Sequence, residues 1–127
     1  MSEAPGRQFY ERHLRFLQNA DVDSLIEYQY HDDAALISFN GIIRGRDALH
    51  AYFLDYMKSI GGSLTLKSTD RFIETDDSIF FEATLVVPSG EVRVYDVFMM
   101  RDGKITHHFP GVIAIKPHDQ SQEENES

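Results

Sequence analysis

The sequence predicts an α+β fold in which three helices pack on one face of a curved, mostly antiparallel sheet. Two observations predict it. In the first half, apolar residues recur at helical spacing in three segments, interrupted by one short hairpin. In the second half, four segments alternate like strands, and their short connections force antiparallel neighbours. The order is therefore three helices with a small hairpin, then a four-stranded meander.

Residues 5–20, PGRQFYERHLRFLQNA, place Phe9, His13, Phe16 and Leu17 at helical spacing. Asp21 offers an N-cap for a second helix, whose apolar face takes Leu25 and Ile26 and extends to Tyr28 and Tyr30. HDDAALISFNG then breaks the helical period. Ala34 to Phe39 is expected as a strand ending at Asn40-Gly41, with Ile42-Ile43 as its return. A third helix is expected over 46–60, with Leu49, Tyr52, Phe53, Tyr56 and Met57 as its stripe and Gly61-Gly62 as its stop. The strands follow at 63–74, 78–87, 91–100 and 104–115. They are joined by Asp76-Asp77, Pro88-Ser89-Gly90 and Arg101-Asp102-Gly103.

No repeat or linker interrupts this order, so residues 5–116 are expected to form a single domain, a size that suits one core. The end of the chain, KPHDQSQEENES, is almost free of apolar residues, and 117–127 is expected to be a disordered acidic tail. The formal net charge is −9. Such a surface repels phosphate backbones and anionic lipid, so neither nucleic acid nor membrane is an expected partner. No apolar run is long enough to span a bilayer, and MSEAPGRQF has no apolar signal core. The chain has no cysteine, which excludes thiol chemistry and fits a reducing, cytoplasmic setting.

Strand parity sorts the candidate site residues. Phe81, Ala83, Leu85, Val94 and Phe98 form the more uniformly apolar face, taken as inward. Asp96 shares that face, a carboxylate in apolar surroundings, where burial raises its pKa. The last hairpin decides which histidine joins it. A two-residue turn at Asp102-Gly103 sets His107 opposite Phe98; a three-residue loop at 101–103 sets His108 opposite Asp96. The six histidines show no tight metal-ligand spacing, and no Gly-rich phosphate loop or serine nucleophile motif is present. No metal or cofactor is therefore expected. Asp32-Asp33 reads as a turn into the strand. On the outward face, Arg93, Tyr95, Val97 and Met99 form a partly apolar stripe on an acidic protein, the mark of a homodimer interface.

YHDDAALI and GIIRGRDALHAYF in the first half, with YDVFMMRDGKITHHF in the second, resemble the nuclear-transport-factor-2-like superfamily. The similarity is to its SnoaL-like and ketosteroid-isomerase-like branches and covers nearly all of residues 8–115. It implies a cystatin-like, cone-shaped half-barrel with a cavity between the helices and the concave sheet. It also implies a dimer through the sheet's outer face, and an alignment that favours His108 as the inward histidine, with His107 as fallback. Asp96 matches the neutral, hydrogen-bond-donating Asp of ketosteroid isomerases, a worked case of a carboxylic acid held protonated by its site. That isomerase's general base aligns with Ser38, and its oxyanion tyrosine roughly with His13. The proton-carrying Asp of the cyclases is Pro110 here, and the dehydratase Asp falls at Gln18 or Asn19.

The resulting expectation is a cofactor-free pocket for a small, apolar, oxygen-bearing organic ligand. Its chemistry, if catalytic, is isomerisation, dehydration or cyclisation by proton transfer. Asp96 is the expected acid or hydrogen-bond donor and His108 the proton carrier, with His13, Tyr30, Ser38, Phe81 and Phe98 contacting the ligand. The alternative is a non-catalytic ligand-binding or dimerisation module, in which Phe81, Phe98 and Phe109 fill the cavity.

Overall fold

The structure, a computed structural model, describes residues 5–118. Helix α1 (Pro5–Gln18) turns Phe9, Tyr10, His13, Leu14 and Leu17 inward. Its last turn closes as the Asp21 amide donates to the Phe16 carbonyl at 2.8 Å. Asp21 then caps α2 (Val22–Gln29) by accepting from the Ser24 amide at 3.2 Å, as the sequence predicts. Helix α3 (Arg46–Ser59) buries Leu49, Phe53 and Met57 and ends where Gly61 and Gly62 take positive φ, with the Gly62 amide donating to the Met57 carbonyl.

The strands are β1 (Tyr30–Ser38), β2 (Gly41–Arg44), β3 (Thr65–Glu74), β4 (Ser78–Val87), β5 (Gly90–Arg101) and β6 (Lys104–Pro117). They form one sheet in the order β2-β1-β6-β5-β4-β3. The meander β3 to β6 is antiparallel throughout, whereas β1 joins β6 in parallel, with Leu36 opposite His108. The three helices cover one face. Phe81, Ala83, Leu85 and Phe98 of that face are buried, which fixes it as the inner one.

Two boundaries differ from the sequence reading. Tyr30 is not on α2 but opens β1, fully buried opposite Ile105 of β6. Tyr28, expected beside it on the apolar face, is exposed. The expected tail also begins late. Pro117 still pairs with Gly90, and the His118 amide donates to the Ser89 carbonyl at 2.9 Å. The remainder of the expected tail, 119–127, lies outside the described residues.

The turn between β5 and β6 controls the site. Asp102 and Gly103 both take positive φ, at 53° and 77°, and Arg101 pairs with Lys104. This is the two-residue turn, not the three-residue loop. Left undisturbed, that register would point His107 inward. However, Met100 pairs with Ile105 and Met99 with His107, so Thr106 is an extra residue. Its hydroxyl donates to the Met99 carbonyl at 3.1 Å. The bulge reverses side-chain parity beyond it. His108 therefore turns inward opposite Phe98, and His107 stays exposed on the outer face, stacked on Phe109.

Candidate functional site

Between the helices and the concave sheet lies a cavity of about 360 Å³. Leu14 and Leu17 of α1, Leu36 of β1, Phe53 of α3 and Phe81, Ala83 and Leu85 of β4 form apolar walls. Asp96, His108 and His13 supply its polar inner surface, with Tyr52 and Tyr56 entering from α3. The buried polar side chains among the described residues are His13, Gln29 and His108; His13 and His108 line this cavity, and Gln29 is bonded to His13.

Asp96 is not directly opposite His108, the arrangement expected from the sequence; Pro110 holds that place. The two side chains are diagonal neighbours on one face, and the His108 imidazole spans the gap. Its Nε2 lies 2.6 Å from Asp96 Oδ1, and its Nδ1 lies 2.8 Å from the Tyr30 hydroxyl. Phe98 underlies the ring, edge-on at 4.7 Å between centroids, and Phe53 stacks at 6.3 Å. His108 thus has both nitrogens engaged inside the protein. The Asp96 side chain is 14% exposed, and among the described residues only Oδ1 is engaged, leaving Oδ2 for the cavity.

Burial raises the Asp96 pKa, and the hydrogen bond and electrostatic pull of His108 partly offset that rise. Burial also lifts the Tyr30 phenol well above its ordinary value, with Asp96 and Tyr52 adding to the effect, so Tyr30 remains a neutral hydroxyl. Two hydrogen-bonded forms of the chain are then possible, differing by one proton. With Asp96 ionised, Nε2–H donates to Oδ1 and the Tyr30 hydroxyl donates to Nδ1. With Asp96 protonated on Oδ2, Nε2–H still donates to Oδ1 and the Tyr30 hydroxyl to Nδ1, and the carboxyl proton faces the cavity. Both imidazole nitrogens are satisfied in either form, so the carboxyl can exchange a proton without leaving a buried polar atom unpaired.

His13 lies beside His108, the two rings edge to face at 6.1 Å between centroids. Its Nδ1 lies 2.8 Å from Gln29 Oε1, and the Gln29 amide nitrogen donates to the Phe9 carbonyl at 3.1 Å. Burial is the main cause that lowers its pKa to about 3, and the neighbouring His108 lowers it further.

Of the other residues the sequence singled out, Ser38 and Phe81 line the cavity. Tyr30 and Phe98 do not. Both are fully buried behind His108, Tyr30 as its hydrogen-bond partner and Phe98 as its floor. The expected filling of the cavity by Phe81, Phe98 and Phe109 is not found, since Phe109 is paired with Val97 on the outer face. Sequence reasoning gave Tyr52 and Tyr56 no role beyond core or rim. Burial raises the pKa of both, Tyr56 to about 12, and Asp96 raises each further, so both present neutral hydroxyls near the carboxyl. Their spacing on the α3 stripe carried that signal. Among the described residues no cluster of His, Asp and Glu is arranged to hold a metal ion, and no helix is long and apolar enough to cross a membrane.

A family model described as a SnoaL-like domain matches residues 10–108. No curated protein matches the chain. Three solved structures show the likeness of fold. An NTF2-like protein from Anabaena variabilis ATCC 29413 is 16% identical, with a TM-score of 0.76 over 91% of this chain and 95% of that one. TerC, co-crystallised with polyporic acid, is 19% identical, with a TM-score of 0.70 over 98% of this chain and 100% of that one. A candidate ketosteroid isomerase from Kribbella flavida DSM 17836 is 13% identical, with a TM-score of 0.71 over 94% and 86%.

Proposed function

Because the chain belongs to the SnoaL-like domain family, we propose that its cavity binds an apolar, oxygen-bearing organic molecule and that Asp96 moves a proton to or from it. One observation carries this reading: a carboxyl opening on a cavity of about 360 Å³ while its other oxygen is held 2.6 Å from a buried imidazole. A neutral ligand suits the walls, which would leave a bound charge poorly solvated.

The chemistry is a general acid–base step without a cofactor. In its ionised form, Asp96 Oδ2 takes a proton from the carbon beside a ligand carbonyl. The C–H bond breaks, its electron pair moves into the enolate, and a new O–H bond forms on the carboxyl. In its protonated form, Asp96 returns the proton to carbon or donates to the ligand oxygen. His108 has no free nitrogen, so it acts through Asp96 as a positioning residue that holds Oδ1 and favours the carboxylate form. Tyr52 and Tyr56 are the neutral hydroxyls within the cavity for the developing oxyanion. Isomerisation and cyclisation both need such a step, in keeping with a fold shared with a candidate ketosteroid isomerase. The rival reading is a non-catalytic ligand-binding or dimerisation module; a cavity open to both Asp96 and His108, rather than filled by Phe81, Phe98 and Phe109, supports the acid–base step over it.

The test is solvent exchange into an apolar enolisable ketone. In deuterium oxide, the wild-type protein should speed deuterium incorporation at the carbon between ring and carbonyl of 2-tetralone above the buffer rate. The near-isosteric Asp96→Asn protein should fold yet lose that acceleration by a factor on the order of a hundred or more. Equal rates for the two proteins would sink the proposal. The reading places the protein in the cytoplasm as a homodimer joined through the outer sheet face, where Tyr95, Val97 and Met99 remain only half-buried in the single chain.

A further inference from the structure

His13 is the buried polar group of the cavity that the proton-transfer reading leaves unused, and its hydrogen bonds fix its chemistry. Gln29 donates through its amide nitrogen to the Phe9 carbonyl, which orients the side chain so that its oxygen faces His13. That oxygen can only accept, so the His13 proton must sit on Nδ1. Nε2 then carries a bare lone pair. Among the described residues no partner reaches it and no unpartnered side-chain nitrogen is sealed off from solvent, so Nε2 opens to the cavity that His13 lines.

From this geometry we infer that His13 Nε2 is a fixed hydrogen-bond acceptor that selects ligands carrying a hydroxyl, a phenol or enol on an otherwise apolar body. A carbonyl or carboxylate oxygen at that place would set lone pair against lone pair, whereas an O–H completes the bond. Burial keeps the ring neutral near pH 7, so it does not become a donor there. The cavity thus has two unlike polar groups, both beside His108. At His13 the protein accepts; at Asp96 a protonated carboxyl donates. A hydroxylated ligand with its reactive carbonyl turned toward Asp96 satisfies both, and the leucine and phenylalanine walls take its hydrocarbon body. A site built around a buried acceptor binds the analogue that lacks the hydroxyl less tightly, because the acceptor is left unpaired.

This inference rests on the cavity being the functional site, and its test is separable from that of proton transfer. Nitrogen-15 spectra of the free protein should show His13 protonated on Nδ1 and bare on Nε2 near pH 7; the reverse tautomer overturns the inference. Calorimetric titration should show 2-naphthol binding on the order of tenfold or more tighter than 2-methoxynaphthalene, the worth of one hydrogen bond. In His13→Leu that preference should vanish. Equal affinity in the wild type, or no binding of 2-naphthol at all, overturns it as well. Because 2-tetralone has no hydroxyl, exchange into it without a naphthol preference would remove only the His13 inference. A naphthol preference without exchange would remove only the proton-transfer reading.

Discussion

Acid should destabilise this protein through His13, by an amount the structure lets one work out. The imidazole is 3% exposed and its pKa falls from 6.5 to about 3, burial first, then His108, with the Gln29 hydrogen bond opposing. The unfolded chain therefore takes up a proton near pH 6.5 that the folded chain refuses until about pH 3. The stability from keeping His13 neutral is fully present above pH 6.5 and is lost as pH falls through the gap. At pH 5 the loss is about 2 kcal/mol, and at pH 3 it approaches about 5 kcal/mol, a large share of a small domain's stability. Urea unfolding at pH 7, 6 and 5 measures it, with His13→Gln as the reference. Asp96 titrates in both proteins, so its opposite contribution largely cancels in the difference. The wild type should lose about 2 kcal/mol more than the variant between pH 7 and pH 5. Parallel curves would refute the reasoning, because His13 would then be charged in the folded state as readily as in the unfolded one.

Tyr30→Phe leaves Nδ1 of a buried imidazole without its partner, which should cost about 1–3 kcal/mol; an unchanged thermal midpoint would show that the bond contributes nothing. Sedimentation velocity at micromolar concentration should give twice the chain mass, and a monomer would remove the dimer through the outer sheet face.

The helices, the meander and the inward face were legible because each rests on local periodicity. The alternation of 78–87 reproduces β4 residue for residue, and Asp21 announces its cap. Tyr30 was not legible. Its place in β1 depends on parallel pairing with Ile105, far along the chain, and nothing beside it in sequence favours strand over helix. The inward turn of His108 was open for a related reason. Asp102-Gly103 marks the two-residue turn, which by parity points to His107, and a bulge at Thr106 then reverses that parity. No residue type at 106 demands a bulge; the pairing on both sides of β6 decides it. The lock on His13 is likewise a contact across two helices, invisible until Gln29 is placed beside it.

Most depends on the fold keeping a protonatable carboxyl in the cavity under the influence of His108. The carbon-13 shift of the Asp96 carboxyl, followed through a pH titration of the wild type and of His108→Phe, measures this directly. In the wild type the titration should lie above the ordinary value of 3.8, because burial disfavours the charge. In His108→Phe it should lie higher still, because the hydrogen bond and electrostatic pull that favour the carboxylate are gone. A wild-type titration at or below 3.8, or a downward move in the variant, would contradict the proposal that Asp96 is the site's proton-holding group.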